Sequence, residues 1–417
     1  MEAIVTGSTN GSATKDVLPS TGEKVGSGKS VHSKKIESSV NENVGRKTTE
    51  PYRQTSSDKA PFYRKNTKPD DTGKLPFLKN YRNPCWRELR EDRSDTWIRC
   101  LPYFYLVGAP KCGTTDLYKR VTKHPLISKK VQKEQHWLTR KRFTFREKGK
   151  LSSYLEYFDE AVQKDISKVE SNNYHPMIFG DGSVSTLWDN RILLQYHQDT
   201  SMTVPPFTNA DLIYRLNPDA KIIIMLRNPV TRLYSEYLFF QEYDKSVDDF
   251  HNHVVSSLHL YKDCANMYSL RYCAYFLQPA LRIQVGFYHI YIEDYFRVFP
   301  REQVKILKLE EYSHHIREYM TDVYTFLGVG KLDICIIKNG WVRNMYYRLQ
   351  LLYILFIGKP SDETMIRVEQ RKHAKARKET NRKLGEMLPK TWKLLVDFYK
   401  PFNERLVELL GDKFGYN

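Results

Sequence analysis

The stretch that most constrains this chain is Tyr103–Tyr118. Aromatic and β-branched residues run from Tyr103 to Val107 and stop at Gly108. A compact loop follows, Ala109-Pro110-Lys111-Cys112-Gly113, and Thr114 and Thr115 open a helix. A strand, a Gly-bounded loop and a helix start are the parts of an anion site. Loop amides and the helix N-terminus point at one place, and the helix dipole favours negative charge there. Lys111 adds a mobile cation.

The glycines, Gly108-x4-Gly113-Thr114-Thr115, have the spacing of a P-loop, but the lysine expected just after the second glycine is replaced by Thr114. No apolar strand ends in the aspartate that would hold Mg²⁺; Ala220–Leu226, the clearest buried strand, ends in Arg227. The loop therefore reads as a phosphate cradle with no metal required, although an isolated Gly-x4-Gly also fits a plain structural turn. Arg227 is expected at the C-terminal end of its strand, where open α/β sheets place ligands. Ser235 follows one to two turns into the next helix, and the pair can grip a second phosphate. An ordinary strand-end salt bridge is the other reading of Arg227.

The remaining elements follow from periodicity and breakers. Helices are expected at Asp116–His124 (stopped by Pro125), Tyr154–Phe158, Val230–Phe240 (with Pro229 in its first turn) and Leu388–Tyr399, resuming after Pro401. Ile178–Ser183 reads as the end of a short strand running into a turn, and Val304–Leu309 as a third strand-like run. Strands alternating with helices predict a three-layer α/β fold around a mostly parallel central sheet.

Composition enters through charge and order. Residues 1–80 carry 14 Lys/Arg against 9 Asp/Glu, so +12 of the net +17 belongs to residues 81–417, the expected folded domain. That excess points to an anionic partner or to a solvated basic surface. No RNA- or DNA-binding motif accompanies it. The first fifty residues contain no aromatic, and 1–80 read as a disordered polar tail. No signal peptide or transmembrane segment is read from the chain; the most apolar run, Leu349–Ile357, is too short to span a bilayer. The six cysteines fit buried thiols, or, in an oxidising compartment, the pairs Cys85–Cys100 and Cys264–Cys273. Their spacings do not fit a zinc site.

Two segments together carry a family resemblance. Tyr105–Tyr118 resembles the 5′-phosphosulfate loop of the PAPS-dependent sulfotransferases, and Ile223–Tyr237 resembles their 3′-phosphate element. Asn83–Trp86, Arg99–Phe104, Lys133–Trp137, Thr139–Phe143, Ser185–Asn190, Leu281–Gly286 and Asp397–Arg405 are similar to the Golgi carbohydrate sulfotransferases, above all to those that sulfate the 6-position of N-acetylgalactosamine 4-sulfate in chondroitin sulfate. Residues 328–371 do not share the likeness. The resemblance implies PAPS as sulfonate donor, a sulfated glycosaminoglycan as acceptor and a Golgi lumenal location. It implies that Lys111, Cys112, Gly113, Thr114 and Thr115 hold the 5′-phosphosulfate, that Arg227 and Ser235 hold the 3′-phosphate, and that Arg377, Lys378 and Arg382 belong to a C-terminal 3′-phosphate loop. Glu134 matches the general base, with His136 the alternative, and Arg140, Lys141 and Arg142 would meet the acceptor or form a solvated face. A silent sulfated-polysaccharide-binding relative and a nucleotide kinase are the competing functions.

Overall fold

In this computed structural model the described residues are 75–89, 95–144, 149–192, 207–240, 245–330 and 384–416. The polar tail up to residue 74, most of the unfamiliar 328–371 stretch, and Arg377, Lys378 and Arg382 lie outside them. Leu75 is already buried in the core.

The sheet that positions the site has four parallel strands: β3 (Phe104–Gly108), β4 (Gly180–Asp181), β5 (Lys221–Leu226) and β6 (Val304–Lys308), in the order β4-β3-β5-β6. A β-branched run such as Ile222–Leu226 has no polar face to give to water, so both its faces must be covered; all five residues are buried. Within the Ile178–Ser183 stretch the strand residues are Gly180–Asp181. Between β3 and β5 the chain first visits the β4 edge and then crosses to the other side. The β3/β5 boundary is therefore a topological switch point, the crevice where such sheets bind ligands.

Before the sheet, β1 (Cys85–Leu89) and β2 (Thr96–Cys100) pair antiparallel with Cys85 opposite Cys100. Those two cysteines are bridged, as are Cys264 and Cys273, which are the two expected pairings. In the chain-entropy account a bridge with a separation of 15 residues is worth roughly 3 kcal/mol. Cys112 is a buried free thiol.

Helices follow the strands at their C-terminal ends: α1 (Thr114–Val121) after β3, then α2 (Leu151–Glu156), α3 (Asn209–Leu216), α4 (Pro229–Phe240) after β5, α5 (Val247–Met267), α6 (Leu270–Phe276), α7 (Tyr288–Val298), α8 (Leu309–His314) after β6, α9 (Ile316–Phe326) and α10 (Pro389–Leu410). The second helix starts three residues before Tyr154 and ends at Glu156. The last helix does not break at Pro401 but continues through it. Proline costs a helix interior about 3 kcal/mol. Leu395, Tyr399, Phe402 and Leu406 form one buried stripe spanning both sides of Pro401, and that shared packing offsets the lost hydrogen bond. No helix among the described residues is long and apolar enough to cross a membrane.

Two core histidines make stability pH-dependent. Burial pulls His124 down to about 4, assisted by Arg82 and opposed by a Gly330 backbone bond. Its Nδ1 accepts the Leu126 N–H at 3.2 Å. Burial also pulls His289 to about 4, with the Arg405 charge acting in the same direction. The unfolded chain titrates these groups near about 6.5 and so binds more protons than the folded chain below that pH. Stability fully present above about pH 6.5 is lost as pH falls toward 4. Calorimetry should show the unfolding temperature dropping through that window, less steeply in His124→Asn; a flat profile in the wild type would contradict the assignment.

Candidate active site

The β3–α1 loop lies at the switch point. Ala109 donates its N–H to the Met225 carbonyl at 2.8 Å, so the loop leaves the sheet still tied to β5. Gly113 takes φ +81° as the N-cap of α1, and a Cβ there would stand 2.7 Å from Leu309 Cδ1, so backbone and space both demand glycine. Thr114 is buried and Thr115 exposed at the helix start. Cys112 is inside the loop, and burial pushes its thiol up to about 12, so the side chain packs as a neutral group and only its backbone amide is left to face a ligand. Its Sγ sits 3.8 Å from Tyr288 Oη, and the same hydroxyl donates to the Arg227 carbonyl at 2.8 Å.

Arg227 leaves the end of β5 and reaches this loop directly. Its Nη1 donates to the Lys111 carbonyl at 3.2 Å and its Nε to Thr231 Oγ1 at 2.9 Å. The two segments expected from the sequence to hold phosphates thus meet at the C-terminal ends of adjacent strands. Ser235 is half-buried, almost two turns along α4. The neighbouring Tyr234 donates to the Gly385 carbonyl at 2.9 Å, so the chain returns beside α4 just after the undescribed 331–383 segment.

Glu134 and His136 come from the segment after α1. Tyr118 of α1 donates to the Val131 and Gly180 carbonyls, which holds that segment against β4. Glu134 Oε2 accepts the Val184 N–H at 3.2 Å and lies 3.3 Å from His136 Nε2, while Oε1 pairs with Lys133. His136 Nδ1 lies 2.7 Å from Ser185 Oγ, and the His136 N–H donates to Ser183 Oγ at 2.9 Å. Ser183 in turn donates to the buried Asp181, whose other oxygen accepts from Tyr154. Burial lowers the His136 pKa; Glu134 opposes the shift, while Arg140, Lys133 and Lys141 add to it. The ring is therefore neutral near pH 7. A neutral ring meets both neighbours when Ser185 donates to Nδ1 and Nε2–H donates to Glu134. The segment carrying Val184 and Ser185 reaches the cradle too, since Leu187 donates its N–H to the Val107 carbonyl at 2.8 Å.

Backbone strain singles out the same residues. Among the described non-glycine residues, φ is positive at Lys111 (66°), Glu134 (68°) and His136 (55°), and otherwise only at Asn172 and Asn173. Asparagine tolerates this region; Lys, Glu and His adopt it at a cost of roughly 1 kcal/mol each. The surrounding bonds over-determine three strained residues at one crevice, the pattern of a functional site.

The basic run 140–142 does not present one face. Lys141 and Arg142 open a 3₁₀ turn, Lys141–Phe143, in which successive side chains diverge by a third of a turn, and Arg140 precedes it as the N-cap. Arg140 is exposed and donates through Nε to Asp189 at 2.8 Å. Lys141 packs on Tyr157, and Arg142 turns inward at 2% exposure with its guanidinium over the Phe143 ring. Arg142 is thereby buried, whereas the sequence suggested that all three side chains would meet an acceptor or form a solvated face.

The sulfotransferase domain model matches residues 102–339. Carbohydrate sulfotransferase 15 of Homo sapiens is 37% identical over 333 residues, 76% of this chain and 54% of that protein. The protein of the same name from Nototodarus sloanii is 30% identical over 167 residues, 39% of this chain and 87% of its own. Among solved structures, a sulfotransferase from Alicyclobacillus acidocaldarius aligns with a TM-score of 0.45 and 23% identity, covering 75% of this chain and 96% of that one. The chain spans about half the length of the mammalian relatives it matches. With the domain match running through the cradle at Lys111, the strained pair Glu134/His136 and Arg227, the chain belongs to the sulfotransferase domain family.

Proposed function

We propose that this chain moves a sulfonate group from PAPS to a hydroxyl of a sulfated glycosaminoglycan, namely the 6-hydroxyl of N-acetylgalactosamine 4-sulfate in chondroitin or dermatan sulfate. The observation that carries the reading is the joining of two anion-binding elements, with Arg227 donating to the Lys111 carbonyl across the β3/β5 switch point. A ligand with two separated phosphate groups fits such a pair better than a single triphosphate does. PAPS would supply an activated sulfonate with a good leaving group. Loop amides 111–115 and the α1 N-terminus would hold its phosphosulfate end, and Arg227 with Ser235 its 3′-phosphate.

The chain's own residues account for the chemistry. Glu134 takes the proton of the acceptor hydroxyl as that oxygen bonds to sulfur and the sulfur–phosphate oxygen bond breaks. Neutral His136 donates to Glu134 and aims it. Lys111 offsets the charge gathering on the departing phosphate. No step needs a metal. The charge of +12 on residues 81–417 suits an acidic polysaccharide, and the family likeness fits a Golgi lumenal enzyme. Disaccharide analysis of chondroitin, dermatan and heparan acceptors after reaction with labelled PAPS tests this. Label on the 6-position of 4-sulfated disaccharides is expected; label confined to heparan products would overturn the acceptor.

A further inference from the structure

Next to Lys111 the surface is unusually aromatic. Phe239 and Phe240, the last residues of α4, are 65% and 53% exposed and meet edge to face. Exposed adjacent phenylalanines beside a polar crevice call for an occupant. The Lys111 ammonium sits 3.6 Å from the centre of the Phe239 ring. On the other side, the Arg282 guanidinium lies over the rings of both Phe240, at 4.6 Å, and Trp188, at 5.3 Å. Two rings therefore separate the Lys111 cation from the Arg282 cation along one lip.

Arg282 is held as a receptor would be. Its Nε donates to Glu236 Oε1 at 2.7 Å, while the second oxygen of Glu236 pairs with the fully buried Arg232. Arg232 also donates to the Arg282 carbonyl at 2.9 Å, so backbone and side chain are both anchored. Arg140 is likewise anchored through its Nε, on Asp189. Among the described residues, neither arginine uses its Nη groups in a hydrogen bond. A guanidinium anchored through Nε and flanked by rings offers its remaining N–H groups, already oriented, to a carboxylate or sulfate.

We infer that Arg282, with Phe239, Phe240 and Trp188, forms an acceptor subsite. The rings stack on the apolar face of a sugar, and Arg282 reads an anionic group, sulfate or carboxylate, of the acceptor. This rests on the proposed transfer reaction, and it makes Arg282 a specificity residue rather than part of the transfer machinery.

Direct binding separates the two ideas. Chondroitin 4-sulfate hexasaccharide, its desulfated form and its carboxyl-reduced form would be titrated into wild type and Arg282→Gln with adenosine 3′,5′-bisphosphate saturating. Loss of one charge-assisted anchor should weaken binding roughly 10- to 100-fold, only for oligosaccharides that keep the group Arg282 reads. Phe240→Ala should weaken all three alike, and Phe240→Tyr should restore them. Affinity for adenosine 3′,5′-bisphosphate should stay at the wild-type value in every variant. Equal hexasaccharide affinity in wild type and Arg282→Gln overturns the inference, as does a parallel loss of nucleotide affinity. Arg282-dependent binding without turnover in the wild type would support the subsite and contradict the proposed activity.

Discussion

Lys111→Ala should lower sulfonate transfer about 10²- to 10³-fold, the usual cost of removing one preorganised charge from a developing anion. The fold should tolerate the change. Lys111 is half-buried, and the loop is held by the Ala109 N–H on the Met225 carbonyl and by the Arg227 guanidinium on the Lys111 carbonyl, neither of which needs the Lys111 side chain. The positive φ at Lys111 allows a control. Lys111→Gly relieves backbone strain while removing the same charge, so it should be as inactive as Lys111→Ala yet at least as stable. Recovery of activity in the glycine variant would show that backbone shape, not charge, is what position 111 contributes. Transfer rates and melting temperatures of the three proteins decide this.

Glu134→Gln should cost about 10²- to 10⁴-fold in turnover, the range expected for loss of a positioned base. Glutamine keeps an oxygen for the Val184 N–H, so the loop should hold its shape, but it can neither accept a proton nor pair with Lys133. Binding of adenosine 3′,5′-bisphosphate should be retained, which distinguishes lost chemistry from lost donor affinity. If Glu134→Gln turns over normally while His136→Gln does not, the base is His136, and its contact with Glu134 runs the other way.

Much of this was legible in the sequence where local signals and tertiary demands agree. The run at Ile222–Leu226 could only be a buried strand, and the break at Arg227-Asn228-Pro229 placed the arginine at its end. The glycine spacing around Lys111 announced a cradle, and the paired cysteines found each other. Other features depend on contacts distant in sequence. Arg282 is tethered by Glu236, 46 residues away, so the segment Leu281–Gly286 gave no hint of a receptor. The 21-residue helix α5 was not read, because only Phe250, Val254 and Ser257 are buried along it. Its signals were present in the Ser246 cap and the acidic pair Asp248/Asp249. The positive φ at Glu134 and His136 has no sequence signature, since Glu rarely enters that region and His, though enriched there, does so too seldom to be read from its identity. Arg142 was grouped with Arg140 by adjacency, whereas Arg140 stays exposed as the cap of the 3₁₀ turn and Arg142, inside it, faces the core.

The most direct test of the two-phosphate reading is transfer of labelled sulfonate from PAPS to chondroitin by the wild-type chain and by Arg227→Ala. Transfer by the wild type is expected, with the variant's apparent affinity for PAPS weakened at least roughly tenfold as a charge-assisted phosphate contact is lost. Equal transfer by both proteins, or none by the wild type, would contradict it.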